Sequence, residues 1–390
     1  MRRRAVILVL DGVGVGEAPD AAAYGDVGSD TLGHVALAVP DLALPNLARA
    51  GLGNIRPLAG IAPASRPDSA WGLMHPASAG KDSTTGHWEI AGLHLARPFP
   101  TYPNGFPDGV IDAFSSATGR GVIGNVAASG TEIIERCGPE HERTGAWIVY
   151  TSADSVFQIA AHEHVVPLGE LYAACETARR QLVAPHDVSR VIARPFVGVD
   201  GSYRRTSHRH DYSIAPPGET LLDALAATGV PRAGVGKVDD LFAGRALRAR
   251  HTASNAEGIQ AILEWLQGEQ GGLLFANLVD FDTLYGHRND AAGFARALQA
   301  FDDALPAIRA ALREDDLLFI TADHGNDPTT SSTDHARENV PLLALGDAVH
   351  PVALGVRSTF SDLGASVAEW LNVAFRGRGI SFIPELERGR

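Results

Sequence analysis

Three largely apolar runs, each closed by aspartate, constrain this chain more than any other feature. Residues 6–10 end at Asp11, residues 273–279 at Asp280-Phe281-Asp282, and residues 317–322 at Asp323-His324. An apolar run of that length bounded by a polar turn reads as a strand buried on both faces, and strands of that kind need helices above and below. Helical patterns at 220–228, 253–267, 291–313 and 360–371 alternate with strand-like runs at 273–279, 317–321 and 340–345. This rhythm predicts an α/β core with a central, mostly parallel sheet covered by helices on both faces. Ligands in open α/β sheets gather beyond the carboxyl ends of the strands, so Asp11, Asp282 and Asp323 are expected as neighbours.

A chain of 390 residues exceeds what one hydrophobic core usually organises. The proline- and aromatic-rich stretch 99–107 and the Pro216-Pro217-Gly218 segment bracket a region of different character. Strands at 147–151 and 191–197, a helix at 169–182 and a charged loop at 204–211 make it a separate α+β unit. The expected organisation is a discontinuous core, 1–99 with 217–390, carrying an inserted cap, 100–216. Net charge is 33 − 46 = −13, which argues against a nucleic-acid or anionic-membrane partner. Cys137 and Cys175 are isolated and form no disulfide framework or CxxC site. Arg2-Arg3-Arg4 mimics the start of a signal peptide, but the following apolar run stops at Asp11 and reads as a first strand. No run reaches the roughly 18–20 apolar residues of a membrane span, so a cytoplasmic protein is expected.

Histidines trail two of the three aspartate-tipped strands. His287 lies five residues beyond Asp282, and His335 eleven beyond His324. A lone Asp-His pair is most often surface chemistry. Recurrence at separate strand ends is not, and three carboxylates with three imidazoles suffice for two divalent ions. Such mixed sets suit Mn²⁺ or Zn²⁺ and accept Mg²⁺, and a two-ion site suits phosphoryl transfer. Asp280 and Asp327 are expected as supporting or turn residues. The turn Asp11-Gly12-Val13-Gly14-Val15-Gly16 lacks the context of a dinucleotide fingerprint.

Ser83-Thr84-Thr85 places three hydroxyls ahead of a helix expected over 88–93. Helix N-termini attract anions, and a hydroxyl beside a metal is a usable nucleophile. The same residues are also ordinary helix caps.

Several segments together resemble the phosphopentomutase family of the alkaline phosphatase superfamily. They are Asp11-Gly12-Val13-Gly14-Val15-Gly16-Glu17-Ala18-Pro19-Asp20, Gly80-Lys81-Asp82 with Gly86-His87-Trp88-Glu89, Tyr150-Thr151-Ser152-Ala153-Asp154-Ser155-Val156, Arg209-His210-Asp211-Tyr212, Asn277-Leu278-Val279-Asp280-Phe281-Asp282 and Thr321-Ala322-Asp323-His324-Gly325-Asn326-Asp327-Pro328. The resemblance spans essentially the whole chain and implies an alkaline-phosphatase-like core. It implies one Mn²⁺ on Asp11, Asp323, His324 and the nucleophile, and a second on Asp282, His287 and His335, with Mg²⁺ or Zn²⁺ as substitutes. It places the nucleophile at Ser83, where the family usually carries threonine. It gives Ser152 and Asp154 to the sugar hydroxyls, and Arg190, Arg205 and Lys237 to the distal phosphate, with Arg194 and Arg209 as lesser candidates. His208 stands where the family commonly has asparagine. The implied activity interconverts ribose 1-phosphate and ribose 5-phosphate, and the 2-deoxyribose equivalents, through a phosphoenzyme and a bisphosphate intermediate. A sugar bisphosphate such as glucose 1,6-bisphosphate would prime it. The expected partner is a pentose phosphate, and a monomer is favoured. A phosphatase or phosphodiesterase, and a non-catalytic phosphosugar binder, are the competing readings.

Overall fold

A computed structural model describes residues 3–152 and 154–387. Arg2 of the basic start and Ala153 of the Ser152–Asp154 segment lie outside the described residues. The chain forms two compact units, Met1–Pro98 with Pro216–Arg390, and Phe99–Ala215.

In the first unit the strands are β1 (Arg4–Leu10) and β2 (Ala70–Met74), joined after the insertion by β9 (Arg232–Val235), β10 (Ala249–Arg250), β11 (Gly272–Leu278), β12 (Asp316–Thr321), β13 (Val340–Leu345) and β14 (Ala353–Arg357). They form one sheet in the order β10-β9-β11-β1-β12-β13-β2-β14. Its helices are α1 (Thr31–Ala38), α2 (Pro45–Arg49), α3 (Leu52–Ile55), α4 (Ser83–Ile90), α8 (Leu221–Ala227), α9 (Val238–Leu241), α10 (Asn255–Gln267), α11 (Ala291–Ala310), α12 (Ser361–Trp370) and α13 (Ile383–Leu386). The fold is α/β with a mostly parallel sheet. β1 sits centrally, parallel to both β11 and β12, and every residue of the three strands is buried.

β1 even buries Arg4, which stands opposite Asp316 in the β12 register and bonds its carboxylate through Nε at 2.8 Å. A second partner, the Leu266 carbonyl, accepts from the same guanidinium at 2.8 Å. Pairing and full hydrogen bonding are what make a buried charge tolerable.

Two features depart from the sequence reading. β13 runs antiparallel to both its neighbours, β12 and β2. No helix lies between Thr321 and Val340 to carry the chain back across the sheet, so it returns alongside in the opposite direction. Second, the helix expected over 88–93 begins five residues earlier. Asp82 is its N-cap, accepting from the Thr85 N–H at 3.1 Å and from the Thr85 hydroxyl at 2.6 Å. Ser83 and Thr84 therefore lie inside the first turn rather than ahead of it. Ser-Thr-Thr-Gly carries no apolar periodicity, and all eight residues of α4 are buried, so tertiary packing and the cap hold this helix.

The second unit comprises β3 (Val122–Ala127), β4 (Trp147–Thr151), β5 (Val156–His162), β6 (Arg190–Val197), β7 (Arg204–Arg205) and β8 (His210–Ser213), with α5 (Asp108–Thr118), α6 (Gly130–Thr144) and α7 (Leu168–Gln181). Alternation along β4 sends Trp147 and Val149 into a core with Phe114 of α5 and Leu171 of α7. Ile148 and Tyr150 face the other way, against Ile133 and Ile134 of α6. The expected charged loop at 204–211 instead contributes β7 and β8, both antiparallel to β6.

Candidate metal centre and nucleophile

Register alone assembles the centre. Leu10 of β1 pairs with Leu278 of β11, and Val9 with Thr321 of β12. Adjacent strands lie about 4.8 Å apart, so Asp11, Asp282 and Asp323 leave neighbouring strand ends within reach of one another. Asp282 and His287 lie on tight turns, a π turn over Phe281–Tyr285 and a 3-10 turn over Gly286–Arg288. His324 follows Asp323 directly, and His335 sits on the segment that returns to β13.

Ser83 Oγ lies 3.1 Å from His324 Nε2 and 3.4 Å from Asp11 Oδ1. His324 Nε2 is 3.3 Å from Asp11 Oδ1 and 3.4 Å from Asp323 Oδ2. Asp282 stands 3.3 Å from His287 Nε2 and 3.5 Å from His335 Nε2. The possible ligand atoms of Asp11, Asp282 and His324 lie within 4.8 Å of one another, and so do those of Asp282, His287 and His335. Asp282 thus faces both groups, although the resemblance gives it to the second alone. The His324 and His335 ring centroids are 4.2 Å apart.

These residues fit a divalent metal for three physical reasons. His324 Nδ1 meets the Gly325 carbonyl at 3.0 Å, and His287 Nδ1 meets the Thr333 carbonyl at 2.6 Å. A carbonyl only accepts, so each Nδ1 carries the hydrogen, and each ring in its neutral form offers the Nε2 lone pair to the centre. Asp323 Oδ2 is buried and receives no directed hydrogen bond, a costly arrangement for a carboxylate, and Asp11 Oδ2 faces the Lys237 ammonium at 2.7 Å. Charge balance points the same way. Burial disfavours a charged His324, yet Asp323, Asp11 and Asp282 outweigh it and push the imidazole up to about 10. Burial, with the His324 charge next, drives His335 down to about 3. Burial likewise works against an ionised Asp11, but Lys237 overcomes it and holds the carboxyl well below its usual range. The carboxylates thus favour positive charge beside them, on His324 and on Lys237.

Two supporting groups, the Asn326 side chain and the Gly12 N–H, carried no sequence signal of their own. Asn326 donates from Nδ2 to Asp282 Oδ1 at 2.7 Å. Gly12 N donates to Asp323 Oδ1 at 3.1 Å. Asp327 bonds His34 and Thr329 as a turn residue, and Asp280 accepts from Asn255 N at 2.8 Å, tying β11 to α10. Two of these contacts, Gly12 with Asp323 and His34 with Asp327, join residues 311 and 293 positions apart.

The remaining sequence candidates are not all in one place. Lys237 belongs to the first unit, with Nζ 2.7 Å from Asp11 Oδ2 and 3.5 Å from Ser83 Oγ. Ser152 and Asp154 follow β4 in the second unit. Arg190 opens β6, 3.7 Å from Asp154 and 3.6 Å from Asp211. Arg205 stands opposite Phe196 at the other end of β6, roughly 20 Å of strand from Arg190 at about 3.3 Å per residue. Arg194 donates to Gln158 at 3.0 Å, and Arg209 pairs with Asp211 at 2.6 Å.

Comparison with known proteins agrees over nearly the full length. A model of the Metalloenzyme superfamily matches residues 3–374. The phosphopentomutase of Acetivibrio thermocellus is 55% identical over 383 residues, covering 98% of this chain and 99% of that protein. That of Dictyoglomus thermophilum is 56% identical over 389 residues, covering 99% of each. Among solved structures, Leishmania mexicana phosphoglycerate mutase shares the fold, with a TM-score of 0.51 at 12% identity, covering 98% of this chain and 97% of that one. With identity above one half sustained from end to end, the chain belongs to the phosphopentomutase family of the metalloenzyme superfamily and is an isomerase.

Proposed function

We propose that this enzyme interconverts ribose 1-phosphate and ribose 5-phosphate, and the 2-deoxyribose equivalents, using Ser83 as a phosphoryl carrier. The observation that carries this reading is the place of Ser83. Its hydroxyl is the first in α4, buried, and within 3.5 Å of His324, Asp11 and Lys237. Asp11, Asp323, His324 and Ser83 would hold one divalent ion, and Asp282, His287 and His335 the other. Mn²⁺ is our assignment, with Mg²⁺ or Zn²⁺ as substitutes. Bound ions would neutralise charge on the transferring phosphoryl group and favour the ionised Ser83 hydroxyl.

The chain's own groups supply the rest. Ser83 opens α4, next to the Asp82 cap on the Thr85 N–H, and a helix N-terminus favours negative charge such as that on a phosphorylated Ser83. Burial opposes a charged Lys237, but Asp11 and Asp282 keep it protonated, with its pKa raised. Its position beside Ser83 supports a role at the transferring phosphoryl group rather than at the distal phosphate. In the first half-reaction the Ser83 Oγ–P bond breaks as a sugar hydroxyl takes the phosphoryl group and gives up its proton, which yields a bisphosphate. The other phosphate of that bisphosphate then returns to Ser83, which restores the phosphoenzyme and releases the isomeric monophosphate. A sugar bisphosphate such as glucose 1,6-bisphosphate would load Ser83 at the start.

We assign the inserted unit to substrate recognition, with Ser152 and Asp154 at the sugar hydroxyls and Arg190 and Arg205 as phosphate ligands. Guanidinium forks match phosphate oxygens. No helix among the described residues is long and apolar enough to cross a membrane, and the net charge is −13. Both support a cytoplasmic enzyme without nucleic-acid or membrane partners, which we take to act as a monomer.

Isomerisation and inorganic phosphate release, measured side by side on ribose 1-phosphate with Mn²⁺, test the reading. We expect isomerisation to exceed release by orders of magnitude. Faster phosphate release would make the protein a phosphatase on the same core.

A further inference from the structure

His87 is fully buried on α4, one turn beyond Ser83, and nothing in the reaction as described uses it. Its Nδ1 lies 2.9 Å from the Ser83 carbonyl oxygen and 3.1 Å from Asp323 Oδ2. Both neighbours only accept, so Nδ1 carries a hydrogen whatever the charge of the ring. Nε2 lies 3.1 Å from Asn277 Nδ2, and the ring stacks on Phe275 with centroids 5.5 Å apart and planes 20° from parallel. Phe275 and Asn277 are two residues apart on β11 and so share a face. That face therefore holds both the plane and the far edge of the imidazole.

The near edge is held by close packing. A Cβ on Gly86 would lie 2.1 Å from the Asp323 carbonyl oxygen, so glycine is what lets α4 press against the end of β12. One ring hydrogen thus stands between the backbone of the nucleophile's turn and a carboxylate oxygen that receives no directed hydrogen bond.

We infer that His87, anchored by Asn277, is a positioning residue: it sets the Asp323 carboxylate, and so the first metal position, relative to Ser83. This rests on the proposed roles of Ser83 and Asp323. Groups that orient a metal's ligands from behind commonly govern its affinity by 10–100-fold. The sequence offers Gly86-His87 as one motif, and the two residues do one job: the glycine permits the approach and the histidine fixes its register.

The test uses amides that mimic one ring nitrogen each. In His87→Asn the side-chain N–H occupies the place of Nδ1; in His87→Gln it reaches the place of Nε2 and leaves Asp323 unattended. Mn²⁺ binding is read by equilibrium dialysis on the full chain. Ser83 phosphorylation after glucose 1,6-bisphosphate is read by mass spectrometry, and thermal unfolding is read alongside. His87→Asn should bind Mn²⁺ within about 3-fold of the parent, whereas His87→Gln should lose roughly 10–100-fold at one of two sites, with similar melting temperatures for both. Asn277→Leu keeps the ring but removes its anchor; it should weaken the same site, and it serves if the histidine variants do not fold. Parental Mn²⁺ binding in His87→Gln or Asn277→Leu would overturn the inference. So would equal weakening in the Asn and Gln variants that tracks their loss of stability. A parent protein that binds no Mn²⁺, or takes no phosphate on Ser83, would instead overturn the reading beneath it.

Discussion

A buried carboxyl shows how a single residue reports on its surroundings. Glu338 is 1% exposed and accepts from the Thr31 N–H at 2.9 Å and the Thr31 hydroxyl at 2.8 Å. Burial is the largest influence and pushes its pKa up to about 8 from 4.5. The folded value is raised above the unfolded one, so the protonated side chain contributes stability that is complete below about pH 4.5 and lost as pH rises through about 8. Glu338→Gln should therefore flatten the dependence of melting temperature on pH between 5 and 8. An unchanged slope would contradict the assignment. The residue types at the centre were legible in the sequence because carboxylates and imidazoles at strand ends have few other reasons to recur. The sharing of Asp282 between two groups was not, since spacing along the chain carries no information on which face of a turn a side chain takes.

At the scale of elements, the strands were easier to read than the helix that matters most. β1, β11 and β12 announce themselves as nearly continuous apolar runs. α4 was placed late because its first turn, Ser83 to Gly86, has neither apolar period nor strong helix formers. Its cap, Asp82, was visible in the sequence, but an aspartate three residues before a threonine is common and decides nothing without the packing. β13 was found at its true bounds, yet its direction depended on the missing crossover helix. The close approach of α4 to β12 makes Gly86→Ala a sharp probe. The added Cβ meets the Asp323 carbonyl at 2.1 Å, so the helix must retreat and carry Ser83 with it. Displacements near 1 Å at a reacting group cost on the order of 100-fold in rate. We expect that fall in kcat with the protein still folded; near-parental kcat would show that the nucleophile tolerates the shift.

For the whole molecule, one sheet end gathers candidate ligands from residue 11 to residue 335, so metal binding there should stabilise the first unit as a unit. A ligand that binds only the folded state at about 100 times its dissociation constant adds about 2.7 kcal/mol. Removing divalent ions with a chelator should therefore lower the melting temperature, and Mn²⁺ should restore it. A melting temperature indifferent to chelation would argue that His324 and Lys237 already satisfy the carboxylates. The boundaries of the inserted unit were legible from composition, because proline-rich segments mark both crossings. Within it β4 and β6 were legible as strands, whereas β7 and β8 were not, since they are short and lie in a charged stretch. The central claim, that Ser83 carries the phosphoryl group, is tested most directly by mass spectrometry of the intact enzyme after incubation with glucose 1,6-bisphosphate and Mn²⁺. The account predicts one phosphate on Ser83, and none on a Ser83→Ala variant. Phosphate on Thr84 or Thr85 instead, or an unmodified protein that still isomerises its substrate, would contradict it.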